Sequence, residues 1–195
     1  MKKTLSEMSL EELWQLFPIK LCPYNFSWKD WYLQEEKLII KTAGQSSILR
    51  ISHIGSTSVE GLISKPTIDI LIEIPKNTDT EILTASLKSI GYIFESQPKN
   101  PPPCMMFMKG YTENGFAEKV FHLHIRYSGD WNEFYFRDYL KKYPQTAKQY
   151  GELKLKLKRL FEHNRDAYTK AKTDFILKYT ALARAEFQDK YKPAE

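Results

Sequence analysis

The residues with the most chemistry to offer lie between positions 50 and 74, RISHIGSTSVEGLISKPTIDILIEI. A short apolar run, Ile51 to Ile54, is followed at once by Gly55, Ser56, Thr57 and Ser58. A glycine placed directly after a strand lets the backbone bend close to a ligand. The amides and three hydroxyls of such a loop can then converge on a phosphate. Pro66 restarts an extended segment, Thr67 to Ile74. Alternation along a strand puts Asp69, Leu71 and Glu73 on one face and four isoleucines on the other. A carboxylate among apolar neighbours is costly unless it is paired or binds metal, so Asp69 is the first candidate for catalysis. Lys65, between loop and strand, could meet a phosphate as a point charge; a solvated surface lysine is the plain alternative. A phosphate-type loop before a carboxylate strand points to phosphoryl or nucleotidyl transfer with a divalent metal.

A second group lies further on. Phe121, Leu123 and Ile125 alternate with His122, His124 and Arg126, so both imidazoles and the guanidinium share a face. The histidines are about 6.5–7 Å apart at the backbone and can converge on one ligand. Asp69, His122 and His124 would make a metal site suited to Mn²⁺ or Zn²⁺ better than to Mg²⁺; a hydrogen-bonded pair on a wet pocket wall is the competing reading. Glu73 lies about 13 Å along the strand from Asp69 and reads as a solvated strand-end residue. His53 reads as structural and His163 as a surface residue. Arg137 could clamp a phosphate through two N–H groups or pair with Asp138 or Glu133.

The phrases HIGSTSVEGL, KPTIDILI, HLHI and FRDYLKKYP occur in this order. In wording and order they resemble the GrpB family, within the nucleotidyltransferase-like superfamily. The resemblance runs from about Pro23 to about Ala183. It implies a mixed sheet carrying a Gly-Ser loop followed by an Asp-x-Asp or Asp-x-Glu strand. The loop and the Asp69 strand would take a nucleoside triphosphate as substrate, with Gly55, Ser56 and Thr57 on the phosphates and Asp69 on the metal. Gly55, Ser56 and Asp69 match that pattern, and Lys65 resembles a family position. Leu71 stands where a second carboxylate is expected. A third carboxylate would come from a later strand, where this chain offers imidazoles. Arg126, Arg137 and Asp138 belong to the later matching phrases.

These residues need a scaffold. The chain has 195 residues, 42% hydrophobic, with Tyr 12, Phe 11 and Trp 4, enough for a sizeable core in one domain over 1–195. Residues 1–22 read as an N-terminal helix and link, and 144–195 as helices packed on the core. Helices are expected over Ser6–Phe17, capped by Ser9 with Glu12 in the capping box, and over Trp28–Ala43, capped by Ser27 and stopped at Gly44. Others are expected over Thr78–Ile90, Trp131–Tyr143, Gln145–His163 and Ala167–Tyr191. Strands are expected at Ile51–Ile54, Thr67–Ile74, Tyr92–Glu95, Met105–Lys109 and Lys119–Tyr127. Three prolines within Lys99–Pro103 make a rigid loop. The result is an α/β (α+β) fold, a mixed sheet flanked by helices with a helical C-terminal third.

Composition narrows the partners. The net charge of +5 suits anionic ligands. The run Lys154 to Arg159 alternates Lys and Leu; a solvated face over a core stripe is the main reading and an RNA-facing surface the minority one. Two cysteines, Cys22 and Cys104, form no framework, and the N-terminal stretch is interrupted by glutamates, so a cytoplasmic protein without a signal peptide or membrane span is expected. The chain says nothing of oligomeric state. Three functions follow: an enzyme moving a nucleotidyl or phosphoryl group, with Asp69, Ser56 and Lys65 at its centre; a binding module that has lost the chemistry; and an RNA accessory protein.

Overall fold

The computed structural model describes residues 3–193. Its centre is a five-stranded sheet in the order β1-β2-β5-β4-β3. The strands are β1 (Arg50–Ile54), β2 (Ile68–Ile74), β3 (Ile93–Ser96), β4 (Met105–Thr112) and β5 (Gly115–Tyr127). β2 and β5 run parallel and every other pair antiparallel. The mixed α/β reading of the sequence therefore holds. β4 and β5 are longer than expected. Their turn is only Glu113–Asn114, with Thr112 opposite Gly115, so Tyr111 belongs to a strand.

The two faces of the sheet are covered differently. The isoleucines of β2 (68, 70, 72 and 74) pack with Leu123 and Ile125 against α2 (Ser27–Ala43) and α3 (Thr80–Ser89), which contribute Trp28, Ile39, Leu83 and Leu87. The opposite face meets α4 (Asn132–Lys142), α5 (Pro144–Phe161), α6 (Arg165–Lys170) and α7 (Thr173–Phe187). Phe134 of α4 packs on Leu71 and Ile54. Ala147 and Tyr150 of α5 join Val59, Leu62 and Leu140. Tyr168 of α6 joins Leu157 and Ile19.

Several local expectations change. α1 (Leu10–Leu16) has the Ser9–Glu12 capping box, but Leu10 is exposed and only Phe17 of its stripe is buried. Ser27 is the first residue of α2, and its amide donates to Oδ1 of Asn25 instead of its hydroxyl forming a cap. Ile82 of α3 and Leu160 of α5 fall on the apolar spacing of their helices but are exposed. The last expected helix is two: Asn164 caps α6 through Ala167, and the chain turns at Ala171–Lys172 before α7. That turn leaves Ala171 and Leu182 outside and brings Tyr168, Thr180 and Ala183 inward.

Glu73 is the largest revision. It is 1% exposed rather than solvated. Its carboxylate pairs with Arg50 and accepts from the Gly129 amide at 2.8 Å and from Nε1 of Trp131 at 3.0 Å. Gly129 has no room for a side chain, since a Cβ there would lie 2.6 Å from the Trp131 ring.

Candidate anion-binding site

β1 and β2 pair so that Ile54 lies opposite Asp69, and Gly55 therefore turns the chain beside the Asp69 carboxylate. Gly55 has φ +69, and a Cβ on it would lie 2.3 Å from Oδ2 of Asp69. Only glycine lets the loop close over that carboxylate. The next residues form a 3-10 turn, Ser56–Ser58. Thr57 is buried and donates its hydroxyl to the Thr67 carbonyl at 3.0 Å, tying loop to strand. That fixes the direction of its other bond: Nε2 of His53 donates to Oγ1 of Thr57 at 3.0 Å. His53 stacks on Tyr32, and burial pulls its pKa down to about 4, so it stays neutral. Ser58 donates to the Gly55 carbonyl.

Asp69 faces a cavity of about 810 Å³ between the sheet and the C-terminal helices. Gly55, Ser56, Lys65, His122, His124 and Arg137 line it too. The parallel register sets Asp69 beside His122 and Leu71 beside His124. Oδ1 of Asp69 is 3.3 Å from Nδ1 of His122 and 4.0 Å from Nε2 of His124. Burial would push the Asp69 pKa up, but the two imidazoles outweigh it and hold the carboxyl below its usual range. Leu71 is fully buried.

His122 belongs to a longer chain of contacts. Arg165 donates to the Tyr111 hydroxyl oxygen at 3.1 Å and, through Nη1, to the Phe17 carbonyl at 3.3 Å. The Tyr111 hydroxyl lies 2.7 Å from Nε2 of His122. Arginine can only donate, so the phenol accepts from it, which leaves its own O–H to donate a hydrogen bond to Nε2. His122 is then the tautomer with hydrogen on Nδ1, directed at Asp69. Burial lowers its pKa and keeps it neutral.

The cavity holds residues that sequence reasoning missed. Lys154 of α5 is 3% exposed and donates to the Ile63 carbonyl, although its run reads as solvated. Its signal was position: Ala147, Tyr150, Lys154 and Leu157 form the buried stripe of α5 at helical spacing. Lys172 sits in the turn before α7, 4.6 Å from the centre of the Tyr168 ring, and Lys65 is 5.9 Å from the same ring. Burial lowers the pKa of all three lysines, reinforced by neighbouring cations: Lys65 and Lys154 to about 7, Lys172 to about 8. Among the described residues none of the three has a carboxylate within salt-bridge distance.

Other predicted site residues fall elsewhere. Arg126 is buried, donates to the Ile125 carbonyl and does not line this cavity. Arg137 lines it with its donors committed to Asp138, the His53 carbonyl and Tyr191. Ser58 borders a second cavity of about 870 Å³ across the loop, which shares Thr57 and Leu140 with the first. Among the described residues no three His, Cys, Asp or Glu side chains are grouped to hold a metal ion, and no helix is long and apolar enough to cross a membrane.

A family profile described as GrpB protein matches residues 18–182. The chain belongs to the GrpB family. A UPF0157 protein of Pseudomonas aeruginosa is 33% identical over 168 residues, 86% of this chain and 68% of that protein. The glutamate-rich protein GrpB of Alkalihalophilus pseudofirmus is 30% identical over 80% of this chain and 90% of its own. The UPF0157 protein YqkA of Bacillus subtilis is 29% identical over 86% of this chain but 48% of its own length. The crystal structure of conserved protein GrpB from Enterococcus faecalis superposes with a TM-score of 0.73 over 86% of this chain and 99% of that one. At 24% identity that likeness is one of fold. The GrpB profile spans the loop, Asp69, the histidine strand, Lys154 and Lys172.

Proposed function

We propose that the cavity binds the phosphates of a nucleotide and presents them beside Asp69 for metal-dependent transfer of a nucleotidyl or phosphoryl group to an acceptor. One observation carries this: three cavity lysines, 65, 154 and 172, none of which has a carboxylate within salt-bridge distance among the described residues. Buried charge is costly unless compensated, and a polyphosphate brings the missing negative charge. Gly55 lets the backbone come close, and Ser56 adds a hydroxyl. Asp69, held ionised by two imidazoles, is a poor proton acceptor and a good partner for a cation. His122 already spends Nδ1–H on Asp69, which makes it a positioning residue. Asp69 and Nε2 of His124 are the donors left for a divalent ion, Mn²⁺, Zn²⁺ or Mg²⁺, whose role there would be to neutralise phosphate charge.

The test is thermal shift and calorimetry of metal-stripped protein with nucleotides, with and without each ion. Nucleotides should raise the melting temperature, and Lys154→Met should remove most of the rise. If no nucleotide or phosphate ester shifts the wild type at millimolar concentration, the reading fails. A binding module without chemistry is the second reading. The buried Leu71 favours it, because the second carboxylate of the superfamily pattern is replaced by a packed side chain. Product formed from a bound nucleotide would exclude it.

A further inference from the structure

We infer that the cavity has a second recognition end, formed by α4 and α7, that takes an uncharged ring bearing hydroxyl or amino groups. This rests on the phosphate reading of the lysine end and adds what the rest of the ligand must be.

The observation is that three buried polar atoms on the cavity lining, Oγ1 of Thr180, Oδ1 of Asp130 and the Tyr168 hydroxyl, have no hydrogen-bond partner among the described residues. Thr180 of α7 is 5% exposed, and its hydroxyl has no hydrogen bond. A helical threonine usually gives its hydroxyl to the carbonyl one turn back; this one is left with both donor and acceptor capacity open. Oδ1 of Asp130 is also buried and unpartnered. Its other oxygen accepts from Nη1 of Arg184 at 2.6 Å, and Arg184 lies one turn beyond Thr180 on α7. Arg184 also binds the Asn132 side chain. Asp130 and Asn132 are therefore fixed beside the helix that carries Thr180. Buried polar groups are nearly always satisfied; the open Tyr168 hydroxyl belongs with the lysines at its ring, and Thr180 and Asp130, tied together through Arg184, describe the complement of the ligand's other end.

Charge orients that ligand. Lys65, Lys154, Lys172 and Arg165 line the cavity with Asp69 and Asp166, the charge of Asp69 reaching all three lysines; Asp130 and Glu133 line it too and act on none of the three. A phosphate beside two carboxylates would be repelled. An ionised carboxylate can only accept, so its partner must carry N–H or O–H. Phe136, Ile176 and the indole of Trp131 line the space and suit a flat ring. Trp131 is locked by its bond to Glu73 and by Gly129 packed against it. A phosphate-bearing heterocycle or sugar meets all of these conditions. The volume of about 810 Å³ is within the range for ligands of that size.

The experiment compares inorganic tripolyphosphate with the four common ribonucleoside triphosphates by calorimetry, on wild type, Thr180→Val and Thr180→Ser. In wild type at least one nucleoside triphosphate should bind about tenfold more tightly than tripolyphosphate, the scale of one or two satisfied buried hydrogen bonds. Thr180→Val should lose that advantage, leave tripolyphosphate binding unchanged and keep or raise the melting temperature of the free protein, because it removes an unpartnered hydroxyl. Thr180→Ser should restore the preference. Tripolyphosphate binding with no nucleoside preference, or a Thr180→Val loss equal for all ligands, overturns the second end and leaves the phosphate reading standing. Binding of neither class overturns both.

Discussion

Asp69 and Glu73 share one strand face, four residues apart, and have opposite fates. Glu73 is enclosed, paired with Arg50 and saturated by the Gly129 amide and the Trp131 indole. The Asp69 side chain keeps 28% of its surface exposed and looks into a cavity whose lysines form no salt bridge among the described residues. The difference lies in what surrounds each oxygen. A carboxylate whose acceptor positions are all taken by the fold holds the fold together. One held ionised with an open side, in a cavity with surplus positive charge, has binding capacity left over.

Breaking Glu73 should therefore cost the most stability. Glu73→Ala leaves Arg50, the Gly129 amide and the Trp131 indole without their carboxylate, and should lower unfolding free energy by about 3–5 kcal/mol in urea titration. Asp69→Asn should change it by no more than about 1 kcal/mol while abolishing any transfer activity. Equal losses from the two would erase the contrast. Gly55→Val comes next. Its Cβ would collide with the Asp69 carboxylate at a strained φ, so a cost of about 1–3 kcal/mol is expected together with loss of the nucleotide-induced melting shift.

Lys154→Met sharpens the comparison from the other side. It removes a buried charge that lacks an acidic partner, so the free protein should be as stable as wild type or more so, while anion affinity falls about tenfold. The pH dependence is the smallest and most diagnostic effect. The cavity lysines have folded pKa values below the ordinary lysine value of 10.5. Above pH 7 the folded state binds fewer protons at these sites than the unfolded state, so their contribution makes the free protein more stable as pH rises from about 7 toward 10. Anion binding needs the protonated forms and should weaken as pH rises from 6.5 to 9. Opposite slopes for stability and affinity, each reduced in Lys154→Met, would place the lysines in the site. Parallel slopes would remove them from it.

Much of the site was legible because local grammar carried it. A glycine and hydroxyls after a short apolar run, a lone carboxylate among isoleucines and histidines in strict alternation are signals with a period of two or a fixed neighbour. The strands, their alternation and the helical C-terminal third followed from the same periodicities. Three-dimensional convergence was not legible. Lys154 and Lys172 lie far along the chain from Asp69, one in a helix and one in a turn between helices, where a lysine is ordinarily solvated. Tyr111 lies in a stretch that reads as a turn, because Gly110 and Gly115 hide how far β4 runs. Glu73 and Asp69 differ only through Arg50, Gly129 and Trp131, none of which is a neighbour in sequence.

The turn at Ala171–Lys172 bears on how the protein comes into being. Lys172 follows Asp69 by about 100 residues, and at typical rates of synthesis, roughly 5–20 residues per second, the carboxylate leaves the ribosome several seconds before the last cavity lysine exists. During that interval the sheet can assemble with Asp69 and its histidines facing water and no basic wall opposite. Only when α6 and α7 dock does the basin of positive charge close over it. On the anion-binding reading, a nascent chain could not hold a polyanion until Lys172 and the helices around it had been made.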